Sequence, residues 1–122
     1  MYERHELGKI GEEIVSKYLE KNNYKILLRN FRCKQGEIDI IAKEGQEYVF
    51  IEVKTRTNIF YGLPKEAVNG NKKSHIYRAV EYFVYMNKLE NVSIRIDVIE
   101  VYKNEKKFIV NHIKHAITER PF

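Results

Sequence analysis

The chain has 122 residues, of which 43% are hydrophobic and 32% charged, with a net charge of +5 and a single cysteine. That length allows one hydrophobic core and excludes two, and the balance of apolar and charged residues excludes wholesale disorder. No apolar run approaches the roughly 20 residues of a membrane helix, and Met1 to Lys9 mixes charges where a leader peptide would be apolar. A cytoplasmic protein without a membrane partner is therefore expected.

From Tyr2 to Lys21 apolar residues recur at Leu7, Ile10, Ile14 and Tyr18, widened by Val15 and Leu19, which predicts an amphipathic helix closed by Asn22-Asn23. Its stripe centres near Gly11. Glu12 falls on the flank of the stripe shared with Gly8, Val15 and Leu19, whereas Glu13 points away into solvent. Tyr24 to Phe31 has the aromatic and β-branched character of a first strand. Cys33 to Gln35 follows as a polar connection. Cys33 has no second cysteine with which to form a disulfide or a zinc site, so its expected role is structural.

A second strand is predicted from Gly36 to Lys43 and a third from Tyr48 to Thr55, joined by Glu44-Gly45-Gln46-Glu47 as a hairpin. Thr57 to Gly70 lacks periodicity and contains Gly62 and Pro64. It reads either as a flap beside a site or as a crossover loop with one helical turn at Lys65 to Val68. A second helix is expected from Asn71, as N-cap, to Lys88, with Ile76, Ala79, Val80 and Phe83 facing inward. Ser93 to Tyr102 alternates as a fourth strand, Phe108 to His112 as a short edge strand, and the last residues should fray. The order is that of an α/β domain built on a mixed sheet.

The chemistry lies in the second and third strands. Asp39, Glu52 and Lys54 stand where apolar residues belong, and buried charges persist only when they neutralise one another or share a cation. Side chains alternate along a strand, so Glu52 and Lys54 share a face, as do Glu37, Asp39 and Ile41. If Lys43 pairs with Tyr48 around a four-residue loop, Asp39 lies opposite Glu52. A two-residue loop keeps the faces but shifts Asp39 opposite Phe50, and an odd loop sends it to the wrong side. The even loops also gather Ile38, Ile40, Ala42, Val49, Ile51 and Val53 on one apolar face.

Facing carboxylates repel unless a hard divalent cation such as Mg²⁺ lies between them, since Mg²⁺ is often held by one or two carboxylates plus water and phosphate oxygens. Lys54, one pleat from Glu52, can then hold an attacking water or steady charge developing on phosphate. The plainer alternative is a half-buried Glu52–Lys54 ion pair with Asp39 starting a turn. The basic net charge favours a nucleic-acid partner. Arg56, Lys72 and Lys73 are candidate phosphate contacts, the last two near a helix N-terminus. Glu37 is either a third acid or the rim of its strand. Asp97 is expected to pair with an arginine, and His112 and His115 to be structural or exposed.

Gly36-Glu37-Ile38-Asp39-Ile40-Ile41, followed by Phe50-Ile51-Glu52-Val53-Lys54-Thr55-Arg56 and preceded by a helix bearing Gly11-Glu12, resembles the signature of the PD-(D/E)XK nuclease superfamily. Ile38 stands in place of that motif's proline. Gly8-x-x-Gly11-Glu12, Arg29-Asn30-x-Arg32-Cys33 and Ala67-Val68 are similar to the YraN family of small bacterial proteins.

The superfamily resemblance implies a restriction-endonuclease-like domain over 1–122, in the order αβββαβ(β), and Mg²⁺- or Mn²⁺-dependent hydrolysis of DNA phosphodiesters. By that resemblance Asp39 and Glu52 are metal ligands, Lys54 the catalytic lysine, and Glu12 a supporting acid, as in archaeal Holliday junction resolvases. Branched or single-stranded DNA is the substrate it points to. Junction-cleaving relatives act as dimers, which makes a homodimer part of the same expectation, although no stripe marks a dimer face. The competing expectation is a non-catalytic nucleic-acid-binding module or adaptor that retains the fold.

Overall fold

The computed structural model describes residues 4–56 and 70–117, with the backbone alone at 4, 5 and 70–74. The elements run α1 (Arg4–Lys21), β1 (Tyr24–Cys33), β2 (Gly36–Glu44), β3 (Glu47–Arg56), α2 (Gly70–Met86), β4 (Ile94–Asn104) and β5 (Lys107–Ile113). The strands form one mixed five-stranded sheet ordered β1-β2-β3-β4-β5, with β3 and β4 parallel and the other pairs antiparallel. The parallel pair follows from α2 lying between β3 and β4 in sequence, because parallel neighbours require a crossover. This mixed sheet flanked by two helices is consistent with the α/β nuclease-like fold expected. No described helix is long and apolar enough to cross a membrane.

Both helices end on a residue in the left-handed region. Asn23 (φ 68°) closes α1, as its sequence suggests, and Lys88 (φ 52°) closes α2. At the second end the Leu89 N–H donates to Val84 O at 3.1 Å, which satisfies a last-turn carbonyl. α2 starts at Gly70, so Asn71 lies inside its first turn and is not the cap. The segment 57–69, read as a flap or a loop with a helical turn, lies outside the described residues.

Each face of the sheet is buried by one helix. Val15 and Leu19 of α1 pack on Ile40, Ala42, Val49, Ile51, Ile99 and Val101. Ile76, Ala79, Val80 and Phe83 of α2 pack on Ile41, Phe50 and Ile96. Full burial of each such side chain contributes about 1.5–3 kcal/mol. Ile38 departs from the expected pattern. It shares parity with Ile40, yet it joins the α2 cluster.

The β1–β2 ribbon is irregular at this rung. Arg29 pairs with Ile40 and Phe31 with Ile38, which brackets Asn30 against Asp39, and Asn30 takes φ 56°. A left-handed residue inside a strand breaks the simple alternation, so side chains beyond it need not follow the parity of those before it. A register shift between Ile26 and Leu28 adds to the irregularity of β1.

The β2–β3 turn also differs from the expectation. Lys43 pairs with Tyr48, and Glu44 with Glu47 beyond it, leaving the two-residue loop Gly45-Gln46. Only Gly45 of these two has positive φ (61°), the type II′ pattern. This two-residue loop preserves the register that sets Asp39 toward Glu52, because its closing pair is simply the next step of the same ladder. The shift toward Phe50 does not occur.

Candidate functional site

The β2–β3 ladder ends at Ile40 and Ile51, one rung short of Asp39 and Glu52. Asp39 turns into the space where the strands part, and its Oδ2 accepts the Val53 backbone N–H at 2.7 Å. The carboxylate thus occupies the position of the missing ladder bond. Glu52, one residue before Val53, is buried at 9% exposure. Lys54 Nζ lies 3.0 Å from Glu52 Oε1, with side chains only 12% and 10% exposed.

This arrangement leaves Asp39 electrostatically strained. Its carboxyl is pushed up to about 7, first by burial and then by the charge of Glu52, against the pull of the Val53 N–H, with Glu12 and Glu37 adding to the rise. Burial and nearby like charges both disfavour an ionised carboxylate. A carboxyl raised by burial and by neighbouring carboxylates marks a candidate functional site.

Glu12 reaches the same charges from α1. The helix crosses β3 so closely at Gly11 that a Cβ there would collide with the Thr55 side chain. That approach sets Glu12 beside the end of β3. Its carboxyl is raised, chiefly by burial and also by Glu37, while Arg29, a hydrogen bond from Asn30 and Arg32 oppose the rise. Glu13 points outward and pairs with Arg29 at 3.1 Å, as its helical angle requires. Glu37 is exposed at the rim and lies 3.5 Å from Arg32 Nε.

Arg56 is half-buried at the end of β3, next to Tyr102 in the β3–β4 register. The side chains of Lys72 and Lys73 lie outside the described residues. Cys33 occupies the β1–β2 turn, its Sγ 3.4 Å from Gly36 O, and is half-buried.

Among the described residues no three His, Cys, Asp or Glu side chains gather closely enough to hold a metal by themselves. Two carboxylates suffice for Mg²⁺ when water and substrate supply the other oxygens. Asp39 and Glu52 fit that requirement. Both offer hard oxygen donors, and a cation there would reverse the effect that drives Asp39 upward.

Two participants escape the sequence reading. Glu100 is 1% exposed, stands beside Lys54 in the parallel register, and accepts from Asn111 Nδ2 at 2.6 Å. A glutamate within the apolar run Ile99-Glu100-Val101 was a visible signal, but its neighbour depended on the offset of β3 against β4. Asn30 is the second, and Asn is the non-glycine residue most tolerant of the left-handed region it occupies.

A separate polar group forms around Asp97, which has no exposure. Arg95 donates to it from Nε and Nη2 at 2.9 to 3.1 Å, and the His115 backbone N–H at 3.1 Å. His112 Nε2 stands 2.6 Å from Asp97 Oδ2, and its Nδ1 3.0 Å from the Tyr18 hydroxyl. A carboxylate can only accept, so Nε2 carries a proton toward Asp97, and in the neutral ring Nδ1 accepts from the Tyr18 hydroxyl. Burial alone would raise the Asp97 carboxyl, but bonds from His112, Arg95 and His115 outweigh it and hold the carboxyl below its usual value. Arg95 also reaches Glu44 at 2.8 Å, Glu47 at 3.0 Å and the Tyr24 hydroxyl at 2.7 Å.

The fold and the strand-borne acids with their lysine define an α/β protein with a half-buried acidic site at the parting of two central strands. The chain belongs to the uncharacterised protein family UPF0102, whose family model matches residues 11–101, in agreement with the YraN resemblance. A UPF0102 protein of Caldicellulosiruptor saccharolyticus is 50% identical over 115 residues, covering 93% of this chain and 98% of that protein. Another from Caldanaerobacter subterraneus subsp. tengcongensis is 41% identical over 111 residues, with 91% of each chain covered. Among solved structures, the crystal structure of SSO0001 is similar at 20% identity and a TM-score of 0.38, covering 91% of this chain and 51% of that one. That similarity is too loose to bear on the site.

Proposed function

We propose that the protein is a Mg²⁺- or Mn²⁺-dependent nuclease that hydrolyses DNA phosphodiester bonds, with branched or single-stranded DNA as its substrate class. One observation carries this reading: Asp39, Glu52 and Lys54 come together where β2 and β3 part, and burial with the charge of Glu52 pushes the Asp39 carboxyl up to about 7. In this reading Asp39 and Glu52 hold the cation. When bound, the metal polarises a phosphoryl oxygen and lowers the pKa of water.

The remaining work falls to the chain's own groups. Lys54 exchanges its contact with Glu52 for the attacking water and for the charge growing on the phosphate. Glu12 orients the acid pair from α1, and Arg56 holds a flanking phosphate. The sheet beneath keeps these groups fixed, since neighbouring Phe50 and Ile51 are fully buried.

Purified protein incubated with labelled duplex, single-stranded, flap and junction DNA in either metal is expected to cut at least one of them. Cleavage should vanish in Lys54→Ala and Glu52→Ala while circular dichroism stays unchanged. No cleavage of any substrate with either metal would overturn the reading.

The short Lys54–Glu52 contact supports a second reading, in which the pair neutralises itself and the protein binds nucleic acid without cutting it. Binding would then weaken steeply with salt yet ignore both Mg²⁺ and Lys54→Ala.

A further inference from the structure

α1 carries two glycines on the side that meets the site, and packing explains only one. Gly11 must lack a side chain because Thr55 fills the space. Among the described residues, a Cβ at Gly8 would meet nothing within 4 Å. Glycine is a poorer helix former than alanine, and no described residue packs where a side chain at Gly8 would lie. Its missing side chain leaves the α1 backbone bare on this side of the described structure.

Gly8 and Glu12 are one turn apart on the same helix face. Both line a polar cleft of about 570 Å³ together with Lys9, Arg29, Arg32 and Glu37. Among the described residues Arg29 and Arg32 pair with exposed acids, Glu13 at 3.1 Å and Glu37 at 3.5 Å, with the arginine side chains 36% and 75% exposed. Exposed pairs of this kind are worth at most about 1 kcal/mol and exchange readily for phosphate, whose oxygens suit the guanidinium fork. Glu12 lines the cleft one residue beyond Gly11, whose backbone packs on Thr55, next to Lys54 near the end of β3. The cleft therefore runs from the two arginines, along α1, to the end of β3 that carries Glu52 and Lys54.

We infer that this cleft seats the sugar–phosphate strand next to the bond cut at Asp39 and Glu52. Arg29 and Arg32 take its phosphates at the rim, and Gly8 lets the strand lie against the α1 backbone. The inference rests on the nuclease reading and assigns the path of its substrate.

Gly8→Leu separates this role from a structural one, because leucine is the better helix former and its side chain enters the cleft. Thermal unfolding should shift upward by about 3 °C. The Kd for fluorescein-labelled single-stranded or duplex DNA, measured in EDTA to prevent cutting, should rise by about tenfold or more. The double variant Arg29→Gln/Arg32→Gln should flatten the slope of log K against log salt by about 1 to 2.

If Gly8→Leu is more stable and both variants bind and cut like the wild type, the cleft assignment fails while the nuclease reading stands. If Gly8→Leu does not fold, an unchanged salt slope in the double variant overturns the assignment alone. A wild-type protein that neither binds nor cuts DNA removes both.

Discussion

Asp97 on β4 and Asp39 on β2 flank the same central strand, and the protein treats the two carboxylates in opposite ways. Asp97 is enclosed by a buried arginine, a histidine and a backbone N–H, and its carboxyl is held below the ordinary range. Asp39 accepts a backbone bond from Val53, faces the charges of Glu52, Glu12 and Glu37, and is pushed up to about 7. Burial acts in the same direction on both. What differs is the supply of donors, and a carboxylate whose donors all come from the protein has little left to offer a ligand. The Asp97 cluster is therefore built to close the structure, tying α1, β1, the β2–β3 hairpin, β4 and β5 together. On the proposed reading, the Asp39 site keeps acceptor capacity for a cation.

The largest effect expected from this contrast is on folding. Asp97→Ala would leave the Arg95 guanidinium, in a residue 5% exposed, without its main partner, and breaking a buried pair in this way costs about 4 kcal/mol. Urea unfolding measures it directly. A loss below about 1 kcal/mol would mean that Glu44, Glu47 and Tyr24 satisfy Arg95 unaided, and the contrast between a closing and an open carboxylate would fail.

Asp39→Asn should act in the opposite direction. The amide oxygen can still accept the Val53 N–H, while the strained charge disappears. Because the folded-state pKa of Asp39 lies above its unfolded value near 3.8, the folded protein binds the extra proton between about pH 4 and 7. Wild-type stability attributable to Asp39 falls as pH rises through that window and levels off above it. The Asn variant should thus match the wild type near pH 4 and exceed it in stability at pH 8. Asp97 carries the reverse sign, since its lowered carboxyl stabilises the fold above the unfolded pKa and loses that contribution as pH falls through the folded one. A variant less stable than wild type at pH 8 would show that Asp39 already has adequate compensation.

How far the sequence discloses these two regions depends on the range of the contacts. Asp39, Glu52 and Lys54 are legible because charged residues at alternating positions of apolar strands are costly wherever the strands go. The Asp97–Arg95 pair is legible too, since residues two apart on a strand share a face. His112 is not, because it meets Asp97 across the β4–β5 pairing and Tyr18 from α1, contacts 15 and 94 residues apart in sequence. The change of side at Ile38 is hidden for a different reason. It coincides with the irregular rung at Asn30, and hydrophobic periodicity does not record such backbone irregularity. The overall order of helices and strands needed none of this, as amphipathic stripes and turn residues are local signals.

The smallest expected effect is the most selective for the open site. A cation that binds the folded protein at ten times its Kd adds about 1.4 kcal/mol of stability, a rise of about 4 °C for a chain of this size. Titrating Mg²⁺ or Mn²⁺ into the wild type, with NaCl at matched ionic strength as control, should give that rise at pH 8. Asp39→Asn should show none of it, since one of the two donors has lost its charge. A cation between Asp39 and Glu52 also removes the repulsion that lifts the Asp39 carboxyl. The loss of wild-type stability between pH 4 and 7 should therefore shrink when the metal is present, while the acid-side loss set by Asp97 should not move. Equal shifts in wild type and Asp39→Asn would place the cation elsewhere on the surface. Because this measurement requires neither DNA nor turnover, it tests the acid pair as a cation site apart from any question of which substrate it cuts.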